Sequence, residues 1–206
     1  LQEKSKATIE KYLRDAKAFL TFVSKNEITK ETVIAYKEHL KENYAVRSVN
    51  SMLASINCLF DFLDWLDLKI KALKLQQHVF CSEEKELTKA EYTRLCTAAN
   101  RKHNERLNLI LQTICGTGIR VSELQFITVE AVKQSEAIVS LKGKTRLVFI
   151  VKDLKKKLLC YAAKQKIKSG MIFITRTGKP INRTNIWREM KNLCKEANVN
   201  PKKVFP

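Results

Sequence analysis

The stretch Gly116-Thr117-Gly118-Ile119-Arg120-Val121-Ser122-Glu123-Leu124 places a two-glycine turn, an arginine and, three residues on, a carboxylate within nine positions. Such a turn is negotiated most easily by residues without a bulky side chain. In a helix that starts there, Arg120 and Glu123 share a face. A guanidinium held by a neighbouring acid near a helix N-terminus is suited to grip a phosphate through two parallel hydrogen bonds, a fork that lysine does not copy. The same spacing also suits a surface arginine–glutamate pair after an ordinary turn, worth under about 1 kcal/mol, and spacing alone leaves both readings open. A second basic constellation is Lys142-Gly143-Lys144-Thr145, between the β-branched and apolar runs Ala137 to Leu141 and Arg146 to Val151. It reads as a hairpin with a basic tip, and lysines there also serve simply to discourage edge pairing.

These residues need elements to position them, and the periodicity supplies mostly helices. Apolar residues recur at three and four positions in Ile9, Tyr12, Leu13, Ala16, Phe19, Leu20 and Val23, with Ser5 or Thr8 as the cap. A second helix begins near Thr29, and a longer one follows Ser48 and carries Val49 through Trp65. Residues 1–75 therefore predict a helical bundle, and the polar, aperiodic residues 76–86 an interdomain linker. Thr88 and Glu91 form a capping-box pattern that opens a second domain, 87–206. Within it the spacing predicts a helix over 107–115, a helix from Ile119 to Phe126 and the hairpin. Helices near 153–166 and 184–197 follow, flanking a short strand at Met171 to Ile174 and a turn at Thr177-Gly178-Lys179-Pro180. The predicted class is mainly α with a small β-hairpin in the second domain.

The chain has 206 residues, 39 of them Lys or Arg against 21 Asp or Glu, a net charge of +18. Residues 1–86 hold 14 basic and 13 acidic side chains and residues 87–206 hold 25 and 8, so the positive field belongs to the second part. That asymmetry points to a polyanion, most often nucleic acid. No apolar run approaches the roughly 20 residues of a membrane span, and no membrane partner is expected. The six cysteines are scattered, none closer than Cys81 and Cys96, without a zinc-ligand pattern, and the three histidines are equally dispersed. Reduced thiols, several of them in the core, and a cytoplasmic location are expected, with no metal site.

The box GTGIRVSEL resembles the first motif of the tyrosine recombinases, the phage and transposon integrases. TIEKYLRDAKAFLTFV and RSVNSMLASINCLFDFLDW look like the family's core-binding domain, ELTKAEYTRL like the opening of its catalytic domain, and IVSLKGKTRLVFI like its β-hairpin. The resemblance implies a C-shaped clamp on double-stranded DNA at a specific recombination site, and strand cutting and rejoining through a 3′-phosphotyrosine with neither cofactor nor metal. It assigns Arg120 to the scissile phosphate, Glu123 to the acid that follows it, and Lys142 to the catalytic lysine that protonates the leaving 5′ oxygen, with Lys144 its competitor at the same tip. Arg47, Ser48, Asn50, Ser51 and Asn57 in the first domain, and Lys144, Arg146, Lys179, Arg183 and Asn185 in the second, are the expected DNA contacts; for the first set helix capping is an equal alternative. The family's His-x-x-Arg box and nucleophilic tyrosine have no match among these residues, and none of Tyr12, Tyr36, Tyr44, Tyr92 or Tyr161 falls at the nucleophile's place. The expectation is a piece of an integrase that binds DNA without cleaving it, monomeric in solution, where the full-length enzyme is a tetramer on DNA. The rival from another class is a non-catalytic DNA-binding regulator or architectural module. A basic RNA-binding protein lacks a quotable motif here.

Overall fold

A computed structural model describes residues 4–24, 26–75, 86–141, 143–175 and 177–205. The chain divides into two compact units, Leu1–Val79 and Phe80–Pro206. All but Glu86 of the expected linker, 76–86, lies outside the described residues.

The first unit is built on helices α1 (Lys6–Val23), α2 (Lys30–Asn43) and α3 (Val46–Phe62), with a 3₁₀ turn at Leu66–Leu68. Ser5 and Thr29 cap α1 and α2 by accepting from the N–H groups of Thr8 and Thr32. Phe19, Val33, Tyr36, Leu40, Val49, Leu53, Ile56 and Phe60 form the core, and Phe19 sits edge-on to both Tyr36 and Phe60, with ring centroids at 5.1 and 5.8 Å. Buried Asp15 is the charged exception. Its Oδ2 accepts from Lys11 Nζ at 2.6 Å and from Ser55 Oγ at 2.8 Å, so the charge is paired and α1 is pinned to α3. Helix α3 starts three residues earlier than its pattern predicts, after Ala45, and ends before Leu63, leaving Trp65 outside it.

The segment after α3 runs back along the bundle as a strap fastened by side chains. Asn57 Nδ2 donates to Ile70 O at 2.9 Å while Ile70 N donates to Asn57 Oδ1 at 3.1 Å. Asn50 does the same to Leu73, at 2.9 and 2.7 Å. Lys30 and Lys37 add bonds to the carbonyls of Asp67, Lys69 and Lys71.

The second unit contains α4 (Lys89–Arg101), α5 (Glu105–Thr117), a 3₁₀ helix at Val121–Phe126, α6 (Val129–Gln134), the hairpin β1 (Glu136–Leu141) and β2 (Lys144–Phe149), α7 (Lys152–Lys164), α8 (Arg183–Ala197) and a last 3₁₀ turn at Pro201–Lys203. The Thr88–Glu91 capping box is present at the start of α4. The strands pair antiparallel, Ala137 opposite Val148, Ile138 opposite Leu147 and Val139 opposite Arg146. They form a two-stranded sheet on an otherwise helical scaffold. Ala137, Val139 and Val148 are buried and join a core that includes Leu95, Ile110, Leu124, Leu158, Phe173, Ile186 and Leu193. The strand expected at Met171 to Ile174 is instead an apolar plug with single bridges at either end, Met171 to Thr128 and Ile174 to Pro180. Ile172 and Phe173 are buried, which is what their apolar run records. Of the described cysteines only Cys194 is fully buried; Cys58 and Cys96 are half-buried, Cys115 and Cys160 exposed, and all five are free.

Candidate active site

Helix α5 runs on through Gly116 and Thr117 and ends at Gly118, whose φ of +64° is the left-handed conformation that closes a helix and favours glycine. Thr117 Oγ1 accepts from Ile119 N across the bend at 3.3 Å. The chain then enters the 3₁₀ helix of Val121–Phe126 with Arg120, in extended conformation, at its cap position. Arg120 and Glu123 therefore do not share an α-helical face as their spacing suggests. They are joined through the cap: Arg120 N donates to Glu123 Oε2 at 2.8 Å, and Arg120 Nη1 to Oε1 at 3.1 Å.

A third member comes from the hairpin. Arg146 Nη2 donates to Glu123 Oε2 at 2.6 Å and lies 3.4 Å from Gly118 O. Glu123 is buried, with its side chain 4% exposed, whereas Arg120 reaches out at 76% and Arg146 at 43%. Burial pushes the Glu123 carboxyl up, but the Arg120 N–H and the two guanidiniums outweigh it, and the group is held below the usual carboxylate range. Arg120, Ser122, Glu123, Val139, Leu141, Lys144 and Arg146 line a cleft of about 580 Å³. Three cations and one carboxylate leave it net positive, so it suits a phosphate group.

Lys142 lies outside the described residues, and the neighbouring Gly143 turns the hairpin with φ of +73°. Lys144 begins β2 beside it and faces the cleft. Arg183, at the start of α8, lines a smaller hollow of about 210 Å³ with Ser122, Gln125 and Phe173. Lys179 and Asn185 are exposed and line neither. In the first unit, Arg47, Ser48 and Ser51 are exposed in the opening turns of α3, whose cap residue Ala45 offers no side-chain acceptor. Asn50 and Asn57 are corrected as base-reading contacts. Both ends of each amide are engaged with the strap backbone, which leaves no complementary pair to read a base edge. Arg146, expected to line the DNA path, does line the cleft but spends its shortest bond on Glu123. The cleft walls Ser122, Val139 and Leu141 were not anticipated. For Val139 and Leu141 the signal was strand alternation, since Val139, Leu141, Lys144, Arg146 and Val148 all fall on one face of the register.

Residues 85–205 match the phage integrase family, and residues 1–66 match the phage integrase N-terminal SAM-like domain. Among curated proteins the chain is 27% identical over 220 residues to tyrosine recombinase XerD of Halalkalibacterium halodurans, covering 95% of this chain and 73% of that protein. It is also 27% identical over 208 residues to tyrosine recombinase XerA of Pyrococcus horikoshii, covering 97% and 70%. Among solved structures it is similar to a lambda integrase dimer bound to a COC′ core site, with a TM-score of 0.75, 15% identity and coverage of 97% and 60%. Lambda integrase bound to DNA gives a TM-score of 0.72 at 15% identity, covering 97% and 74%. The matches extend across both units, and they place the chain in the phage integrase family of tyrosine recombinases.

Proposed function

We propose that this chain holds double-stranded DNA for site-specific recombination and that Arg120 grips the phosphate at which the strand is exchanged. The observation that carries this reading is the site's asymmetry: a guanidinium three-quarters exposed is tethered by a carboxylate almost wholly buried, beside two further cations in one cleft. Attack on a phosphodiester adds negative charge to its nonbridging oxygens in the transition state, and cations fixed beforehand stabilise that charge without reorganising. Arg120 supplies one half of such a clamp. Lys142, next to the hairpin turn, is the proton donor for the leaving 5′ oxygen, with Lys144 on the cleft wall guiding the backbone. Arg47, Ser48 and Ser51 on α3, and Lys179, Arg183 and Asn185 around the start of α8, add phosphate and groove contacts.

The 206 residues bind DNA without cutting it. In the second unit Tyr161 is buried, which pushes its phenol up, and Tyr92 is half-buried with its phenol pushed up for the same reason. Neither lines the cleft around Arg120. The free chain is a monomer, so light scattering should return one chain's mass, 23.8 kDa, and a mass of four chains without DNA refutes this.

The test of the grip is equilibrium binding of a fluorescent duplex to the chain and to Arg120→Ala across a salt series. The unaltered chain should weaken steeply with salt as counterions are reclaimed. Arg120→Ala should bind about tenfold more weakly, with a salt slope shallower by about one. A flat salt response of the unaltered chain rejects the DNA reading. A nicked duplex that traps a covalent adduct on this chain rejects the claim that it does not cut.

A further inference from the structure

The hairpin mixes apolar and polar side chains on both of its faces. By register and alternation, Ala137, Val139, Leu141, Lys144, Arg146 and Val148 share the inward face, and Arg146 stands opposite buried Val139. The outward face holds Ile138, Leu147 and Phe149, exposed at 66, 47 and 68%. A sheet packed on one side ordinarily keeps apolar residues inward and polar ones outward. A guanidinium on the inward face persists only where a fixed acceptor meets it, and Glu123 Oε2 is that acceptor.

The consequence lies in how Glu123 divides its lone pairs. Oε2 accepts from Arg146 Nη2 and from the Arg120 main chain, which leaves Oε1 for the Arg120 side chain. Arg120 therefore holds the carboxylate through Nη1 alone. Among the described residues its Nε and Nη2 donate to no protein group, and they remain as an open fork. An arginine and a carboxylate left to themselves close into a two-bonded pair. With Arg146 gone, the lone pair it frees on Oε2 would let Glu123 draw both guanidinium arms onto itself and take the fork away from any phosphate.

We propose that Arg146 is a positioning residue: by occupying Glu123 Oε2 it keeps Arg120 singly tethered and its outer fork open, while binding no phosphate itself. The proposal rests on the reading of Arg120 as the phosphate-gripping residue. It goes beyond that reading in giving the hairpin arginine an indirect task and in predicting that its effect disappears when Arg120 is absent.

The experiment is a double-mutant cycle on the full chain, using a mixed-sequence duplex of about 30 base pairs and a salt series. Arg120→Ala and Arg146→Ala should each weaken binding about tenfold and lower the salt slope by about one. The double variant should be no weaker than Arg120→Ala within about twofold, since both changes disable one contact. In the DNA-free protein, Arg146→Ala should shift the Arg120 side-chain Nε–H resonance, a change that loss of stability alone does not produce. Arg146→Lys keeps a cation on Oε2 and should bind within about threefold of the unaltered chain. It also stands in for the alanine variant should that fail to fold, in which case Arg146→Lys must show the Arg120 resonance near its original position. Losses that add, with the double variant's slope lower by about two, overturn the proposal by showing that Arg146 holds a phosphate of its own. Unchanged binding of Arg146→Ala overturns it too, as does a lysine variant as weak as Arg120→Ala. Should Arg120→Ala itself bind normally, the phosphate reading falls first, a result recognisably different from additive losses.

Discussion

Single side chains decide several properties that can be measured one at a time. Glu91 accepts from Thr88 N at 2.8 Å and from Lys203 Nζ at 3.1 and 3.3 Å, so it caps α4 and ties the last 3₁₀ turn to the first helix of its unit. The Thr88 amide, then Lys203, hold its carboxyl down to about 2. A depressed folded pKa stabilises the fold above the ordinary carboxylate range and the contribution is lost as pH falls toward 2. Urea midpoints should drop through that acid window, and Glu91→Gln should show a flatter fall while starting lower at neutral pH. The two glycines of the bend should respond in opposite directions. A Cβ at Gly118 meets nothing within 4 Å, yet its φ of +64° makes Gly118→Ala destabilising by about 1–2 kcal/mol from backbone strain alone. Gly116 is helical and its Cβ would meet Leu154 Cδ2 at 3.9 Å, an ordinary contact, so Gly116→Ala should be stabilising by up to about 1 kcal/mol in the same urea titration.

Among the elements, the strap behind α3 has the most to lose from small changes. Asn50 and Asn57 each satisfy one N–H and one C=O of a segment that makes no sheet or helix there. Asn57→Ala and Asn50→Ala should each cost about 1–3 kcal/mol, read in urea unfolding followed through Trp65, which stands just before the strap. The sequence did not disclose this clamp, because an asparagine that grips a distant backbone has the same local pattern as one that faces solvent. The helices were legible wherever burial repeated at three and four positions or a side chain marked the cap, as at Thr29 and Thr88. The start of α3 was missed because Ala45 gives no capping signal, and Ser48 supplied a false one two residues inside. The arginine box announced its turn and its acid, but the partner that completes it, Arg146, is 23 positions from Glu123. The register puts Arg146 on the inward face, and only the packed structure showed which carboxylate waited there.

At the scale of the whole chain, two separate cores carry two different charge balances. Residues 87–206 concentrate 25 basic side chains against 8 acidic ones, and the cleft around Arg120 lies within that excess. The charge also keeps copies apart, since like-charged molecules resist close approach at low ionic strength. Ile138, Leu147 and Phe149 form an uncovered greasy flank on a two-stranded ribbon. Concentrated salt dissolves the repulsion and, with sulfate, strengthens apolar contact. High-salt washes of the kind used to strip nucleic acid from basic proteins are therefore the conditions in which it should turn cloudy. Phe149→Thr should stay clear at ammonium sulfate levels that precipitate the unaltered chain, and equal turbidity of the two would show that other surfaces govern its solubility.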